Sequence, residues 1–281
     1  MLFMDYIEVE FNLAPFNPWN EVLVAYLSEM DFESFQENEP SLLAYIQKPF
    51  FNQNSLFELL EKINQQENLS INFKINSIQQ QNWNALWESQ FEPVFVDEQL
   101  QILAPFHEKK AFLGQTIFIE PKMSFGTGHH HTTFLMCKEM FEIDFKNKKV
   151  LDMGSGTGVL AILAEKLGAN EISAFDIEPW SVENCADNAL KNNCFNIISS
   201  LGDIDEVKGP FDIILANINK NVLKGHISDY SRLLNPNGIL LLSGFFKTDS
   251  EELIEYAESN TLSFFHLKEK EGWAMLEFKK Y

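Results

Sequence analysis

Cysteine is scarce in this chain, with Cys137, Cys185 and Cys194 only. The count is odd and no CxxC pair occurs, which excludes a disulfide framework and a cysteine-based zinc site and fits reduced thiols in a cytoplasmic protein. No run approaches the ~18 apolar residues that a membrane-spanning helix requires. The first eleven residues have neither a basic segment nor an apolar core, so they do not form a secretory signal. Internal repeats and low-complexity segments are missing. Positive charge is also short: 21 Lys+Arg stand against 41 Asp+Glu, a net charge of −20. Such a surface repels phosphate backbones and attracts basic partners, so unaided nucleic-acid binding is not expected. The imbalance is densest in residues 1–76, with twelve acidic residues against three lysines.

What is present is core material. Hydrophobic residues make up 45% of the 281, and 26 are Phe. A chain of this length and composition is expected to fold as two domains. Residues 1–77 read as a small α+β unit. Tyr6–Leu13 alternates as a half-buried strand, and Asn17-Pro18 opens a helix carrying Val22, Leu23, Tyr26, Leu27 and Met30. Phe32–Gln36 and Leu42–Gln47 are strands. Asn54-Ser55 opens a second helix with Leu56, Leu59, Leu60 and Ile63 on one face, and Ile71, Phe73 and Ile75 alternate again. The order βαββαβ is ferredoxin-like. Residues 78–93 are expected to hold a short linker helix with Trp83, Leu86 and Trp87 on one side, stopped near Pro93.

Residues 94–281 form the second domain. Short strands come first, and from Lys149 the pattern becomes βαβα. Strands are expected at Val150–Met153, Ile172–Asp176, Ile197–Leu201, Phe211–Asn217 and Ile239–Ser243. Helices are expected at Gly158–Leu167, Pro179–Asn193, Val222–Leu234 and Ser250–Ser259. The helix to Leu234 should end in the turn Asn235-Pro236-Asn237-Gly238. Runs such as Ile213-Ile214-Leu215 imply burial on both faces, as in a parallel sheet. Leu262–Lys268 and Trp273–Lys279 flank Glu271-Gly272 as an antiparallel hairpin. A Rossmann-like parallel sheet that ends in an antiparallel hairpin is the seven-stranded layout of class I S-adenosylmethionine-dependent methyltransferases.

The chemistry concentrates in Asp152-Met153-Gly154-Ser155-Gly156-Thr157-Gly158, where a strand runs through glycines into a helix. A phosphate-binding P-loop needs a lysine that is missing here, and the spacing meets the dinucleotide pattern only in part. An acid before the glycines suits a ligand that carries cationic groups and no phosphate. S-adenosylmethionine is such a ligand: Asp152 would face its cationic part, and the backbone of Gly154, Ser155 and Gly156 its carboxylate. Asp176, at the tip of the next strand, is placed to accept hydrogen bonds from both ribose hydroxyls. Asn217-Ile218-Asn219-Lys220 follows the strand ending at Asn217. Asn217 and the Ile218 carbonyl are the candidates for orienting an attacking amine. The Asn-Pro-Pro-aromatic run of adenine and glutamine methyltransferases is not found at this point. His129, His130 and His131 are consecutive, and neighbouring side chains on one helix rarely converge on one ion, so no metal site is expected.

The run Phe125-Gly126-Thr127-Gly128-His129-His130-His131-Thr132-Thr133, taken with Asp152–Gly158, Asp176 and Asn217, resembles the bacterial methyltransferases of large-subunit ribosomal protein eleven. The resemblance is strongest over residues 124–244. It implies cofactor contacts by Thr133, Gly154, Asp176 and Asn217, with the Phe125–Thr127 loop covering the cofactor. It also implies an N-terminal domain that holds the ribosomal protein, and methylation of its lysine ε-amines and N-terminal α-amine. A monomer is the default expectation. The competing readings are a protein-glutamine or nucleic-acid base methyltransferase, and a non-catalytic adaptor that binds the cofactor without turning it over.

Overall fold

Alternating apolar residues bury Ile7, Val9, Phe11 and Leu13 on one side of β1, Tyr6–Ala14. The computed structural model describes residues 5–64, 69–78, 83–122 and 124–281. They divide between two compact units, Met1–Gln90 and Phe91–Tyr281.

In the first unit β1 is followed by α1 (Trp19–Ser28), β2 (Ser34–Asn38), β3 (Ser41–Gln47), α2 (Gln53–Asn64), β4 (Ser70–Ile78) and α3 (Trp83–Gln90). The strands form one sheet in the order β2-β3-β1-β4, the ferredoxin-like arrangement. Both neighbours of β1 run antiparallel to it, with Val9 opposite Ala44 and Ile75. Leu23 and Leu27 of α1, and Leu56, Leu60 and Ile63 of α2, cover the apolar side. Three boundaries depart from expectation. Pro18 occupies the N-cap of α1 with no side-chain cap bond, so Asn17 does not cap it. Asn52, not Asn54, caps α2, because its Oδ1 accepts the N–H groups of Asn54 and Ser55. The second strand starts at Ser34, two residues late. Of the stripe expected from Trp83, Leu86 and Trp87, the first two side chains lie outside the described residues.

The second unit begins with a three-stranded sheet of β5 (Val94–Val96), β6 (Leu100–Leu103) and β7 (Gln115–Phe118). Then come α4 (His131–Met140), β8 (Lys149–Met153), α5 (Val159–Lys166), β9 (Glu171–Asp176), α6 (Pro179–Lys191), β10 (Ile197–Leu201), β11 (Phe211–Asn217), α7 (Lys220–Leu233), β12 (Leu234–Phe246), α8 (Ser250–Glu258), β13 (Leu262–Lys270) and β14 (Trp273–Lys280). The last seven strands make one sheet in the order β10-β9-β8-β11-β12-β14-β13. Pairing is parallel from β10 to β12 and antiparallel on both sides of β14.

Each central strand feeds two cores, which is why it reads as continuously apolar. Val150, Ile213 and Leu215 face the core built with α4, α5 and α6, while Leu151, Ile214 and Ala216 face that of α7 and α8. Helix α5 is buried at every position from Val159 to Ala164, so only its last two residues, Glu165 and Lys166, are polar and partly exposed. The Asn235–Gly238 turn does not break β12. It is absorbed as an irregularity, with Phe211 opposite Leu234 and pairing resumed at Ile213 and Ile239. Glu271 and Gly272 both have positive φ, as a two-residue hairpin turn requires. No helix among the described residues is long and apolar enough to cross a membrane.

Candidate active site

The order of strands reverses between β8 and β11, and the sheet opens there at its C-terminal edge. A cavity of about 660 Å³ lies in this crevice, within the ~300–1,000 Å³ range usual for small-molecule sites. Its walls include Gly154 and Gly156 after β8, Asp176 at the end of β9, Asn217 at the end of β11 and Ile218 just beyond it. Sequence positions 154, 176 and 217 therefore converge because each ends or immediately follows a strand that finishes at the same edge.

The glycine loop is held from both sides. Gly154 and Ser155 donate N–H bonds to the Phe175 carbonyl at 2.8 and 3.0 Å. Gly156 donates to Asp176 Oδ2 at 2.8 Å, and Glu178 donates to Asp176 Oδ1 at 3.0 Å. Each Asp176 oxygen keeps a lone pair for a ligand. The Phe125–Thr127 segment locks onto the loop, with the Thr157 N–H on the Phe125 carbonyl at 2.9 Å and the Thr157 hydroxyl on the Gly126 carbonyl at 2.6 Å. Gly156 has φ +53°, and a Cβ there would lie 2.2 Å from the Phe125 oxygen, so only glycine lets the two segments meet. Three buried asparagines four residues apart, two on α6 and the third at its C-cap, hold this assembly. Asn184 accepts from Asn188, Asn188 donates to the Thr157 carbonyl and accepts from Glu120 N–H, and Asn192 bridges the backbone of Phe118. Their i, i+4 spacing is visible in the sequence, and the sequence reading missed it.

Two expected contacts take different places. Asp152 does not line the cavity. It is 1% exposed and turned under α5, where Oδ2 accepts the Ala161 N–H at 3.1 Å, one of the donors a helix start leaves without an intrahelical partner. Thr133 is fully buried behind the cavity wall and accepts a hydrogen bond from Asn217 Nδ2 at 3.3 Å. Ser155, Gly126 and Thr127 also stand off the cavity, whereas Phe125 lines it and is 54% exposed. That Thr133 bond turns the Asn217 amide, and Asn217 Oδ1 is buried without any partner in the protein. A buried acceptor left open carries a penalty of about 1–3 kcal/mol unless a ligand satisfies it.

Burial pushes the Asp152 carboxyl up from its ordinary value to about 7, with the nearby Asp176 charge adding to the effect. The folded state then holds a proton that the unfolded chain releases near pH 4. Stability contributed by this group is greatest below pH 4 and is lost as pH rises from about 4 to about 7, by about 4 kcal/mol. In Asp152→Asn the amide oxygen can still accept from Ala161 but nothing titrates. Denaturant unfolding at pH 5 and pH 8 is expected to show the variant gaining on the parent protein as pH rises. Parallel stability curves would refute this.

Of the three consecutive histidines, His129 and His130 take separate partners. His129 Nε2 meets the Glu92 carbonyl at 2.9 Å, and His130 Nδ1 accepts the Thr132 N–H as the N-cap of α4. Burial, helped by the charge of His131, lowers the His130 pKa, which suits that acceptor role. His130 also packs edge-on against Trp273, which stacks on Phe246 with ring centres 4.2 Å apart. An aromatic wall therefore lines the cavity beside Asn217 and Ile218. Another trio, Glu139, His266 and Glu277, places one possible ligand atom each within 4.8 Å. Lys268 lies 2.6 Å from Glu139 Oε2 and Lys279 3.8 Å from Glu277 Oε1. The two ammonium groups balance the two carboxylates, so the cluster is an ionic tie between α4 and the C-terminal hairpin. The cavity further includes Asp203 and His226, 3.3 Å apart, which the sequence reading did not single out.

A parallel sheet closed by an antiparallel hairpin, with a glycine loop, a ribose-type acid and an open amide acceptor at one crevice, defines a class I S-adenosylmethionine-dependent methyltransferase. Comparison with known proteins narrows the class. The profile of the family described as "Ribosomal protein L11 methyltransferase (PrmA)" matches residues 22–281. A protein of that name from Phocaeicola vulgatus is 39% identical over 279 residues, covering 98% of this chain and 99% of its own. Another, from Porphyromonas gingivalis, is 38% identical over 261 residues, covering 92% and 90%. A crystal structure titled ribosomal protein L11 methylase, from Lactobacillus delbrueckii subsp. bulgaricus, superposes with a TM-score of 0.63 at 26% identity, covering 68% of this chain and all of that one. The chain belongs to the ribosomal protein L11 methyltransferase family.

Proposed function

We propose that this protein methylates amines of ribosomal protein L11, its lysine ε-amines and N-terminal α-amine, with S-adenosylmethionine as donor. The observation that carries the reading is the open Asn217 Oδ1, buried at the cavity wall and oriented by Thr133. Bound S-adenosylmethionine supplies a methyl group whose sulfonium leaving group is already activated. The protein's part is then to position and desolvate. Asp176 accepts the ribose hydroxyls, and Gly154 and Gly156, which carry no side chains, let the cofactor come close to the backbone of the loop. Asp152 supports the loop through α5 instead of touching the cofactor. Asn217 Oδ1 and the Ile218 carbonyl accept hydrogen bonds from the acceptor amine and aim its lone pair. A lysine amine has a pKa near ~10.4 in water, and burial beside a cation favours the neutral form that attacks. His130 and Trp273, the latter stacked on Phe246, wall this end, where aromatic faces also tolerate methylated ammonium groups.

The first unit is proposed as the recognition domain. Its helices cover one face of the sheet, so Tyr6, Glu8 and Glu10 of β1 turn to the other, beside Tyr45 and Lys74. The acidic excess of this unit suits a basic ribosomal protein. The enzyme would act in the cytoplasm, as a monomer.

Mass spectrometry of purified L11 after incubation with the protein and S-adenosylmethionine tests this. Gains of whole methyl units on lysines and the N-terminus are expected. No gain, with S-adenosylmethionine binding intact, would sink the acceptor and leave the fold class standing.

A further inference from the structure

Strand β12 runs regularly to Ser243, whose carbonyl accepts the Ile218 N–H at 3.1 Å. Its pairing with β14 then slips, from Ser243 opposite Met275 to Phe245 opposite Ala274. The extra residue is Gly244, with φ +101°. Such bulges re-aim a strand at a site, and glycine inside a strand often marks a close backbone approach.

The approach here is to Ile218. A Cβ on Gly244 would lie 2.1 Å from the Ile218 carbonyl oxygen, 2.7 Å from its carbon and 2.9 Å from its nitrogen. These are backbone atoms, with no flexible end to swing aside. From the opposite side, a Cβ on Gly154 would lie 2.1 Å from Ile218 Cγ2. Ile218 is therefore gripped between the glycine loop of β8 and the bulge of β12, and all three residues line the cavity. The next pair on the same ladder is Phe246 with Trp273, so the bulge also sets where the aromatic wall stands.

We infer that Gly244 is a positioning residue for methyl transfer, which by lacking a side chain lets the β12 bulge close on Ile218 and fixes the carbonyl that aligns the acceptor amine. This rests on the proposed role of Asn217 and Ile218. The grip explains how a one-residue loop contact is held without the prolines that stiffen the corresponding run in adenine and glutamine methyltransferases. Two absent methyl groups and the Ser243 hydrogen bond leave the Ile218 peptide one place to sit.

The test is Gly244→Ala in the full chain, with L11 as acceptor. S-adenosylmethionine affinity by calorimetry is expected to stay near that of the parent, because Asp176 and the glycine loop keep their bonds. The turnover number is expected to fall about 100-fold, the scale of a roughly 1 Å misplacement at a reacting centre. The KM for L11 should hold, and product should shift toward fewer methyl groups per amine. The control is Gly225→Ala, in α7, where a Cβ meets nothing within 4 Å; its turnover should match the parent's. If Gly244→Ala does not fold, Ile218→Ala serves, since it removes Cγ2 and leaves both glycines in place. A loosened peptide should again lower turnover with cofactor affinity retained. Parent-like turnover and methyl distribution in Gly244→Ala, or in Ile218→Ala where the first variant is unfolded, would overturn the inference. A parent protein that binds S-adenosylmethionine but transfers nothing to L11 would overturn the acceptor reading and this role with it.

Discussion

Replacing Asp176 by Ala is expected to weaken S-adenosylmethionine binding by about 10²- to 10⁴-fold, the effect of losing two hydrogen bonds to a charged group at about 1.5–3 kcal/mol each. The residue has two tasks that fail together. It takes the N–H groups of Gly156 and Glu178, which fixes the glycine loop against β9, and its remaining lone pairs face the cavity for the ribose. With both backbone donors released, the loop loses the shape that presents Gly154 and Gly156. Asp176→Asn keeps one acceptor oxygen and should lose less. Calorimetric titration with S-adenosylmethionine and with S-adenosylhomocysteine, beside a denaturant curve for folding, decides the matter. A folded Asp176→Ala that binds within tenfold of the parent would remove the residue from the binding site.

Replacing Asn217 by Ala should leave cofactor affinity nearly unchanged and lower the single-turnover rate about 10²- to 10³-fold, the range seen when one preorganised hydrogen-bonding group is removed from a transition state. The reason is geometric. Asn217 Nδ2 is committed to Thr133, and the free Oδ1 has no partner until an amine arrives. Thr133→Val leaves the amide in place but unanchored, so a smaller loss is expected, about tenfold for one neutral hydrogen bond. Rapid-quench measurement of methyl transfer separates this step from product release. An Asn217→Ala protein with the parent's rate would shift the role of amine alignment to the backbone alone.

The sequence made most of the catalytic unit legible because its signals are local. Alternation gave β1, the apolar runs gave β8 and β11, and Glu271-Gly272 gave the final hairpin. Gly154 follows a recognisable strand and Asp176 and Asn217 each end one, and parallel strands that end together bring such residues together. The misreadings share one cause. Asp152 looked like a ligand contact because it precedes the glycines, yet side chains alternate along a strand, and its own points under α5 to Ala161. Thr133 belongs to a motif read as covering the cofactor, yet it sits behind Asn217. The Asn184, Asn188 and Asn192 row and the Gly244 bulge went unread because their partners, Thr157, Phe118 and Ile218, lie far away in sequence.

By itself the sequence determined the class of fold and the cofactor. Strand and helix periods, glycine spacing and the order of elements are properties of short segments, and right-handed connection of parallel strands leaves few ways to assemble them. Only the tertiary structure decided which side chains face the cavity and which hold it from behind. It set the Phe125–Thr127 segment on the glycine loop and left Asn217 Oδ1 open. It also closed two glycines from separate strands on Ile218. Those outcomes depend on the direction of single side chains and on contacts between residues 26 to 84 positions apart. Hydrogen-bond satisfaction and close packing settle such contacts once the chain has folded, and no local pattern encodes them.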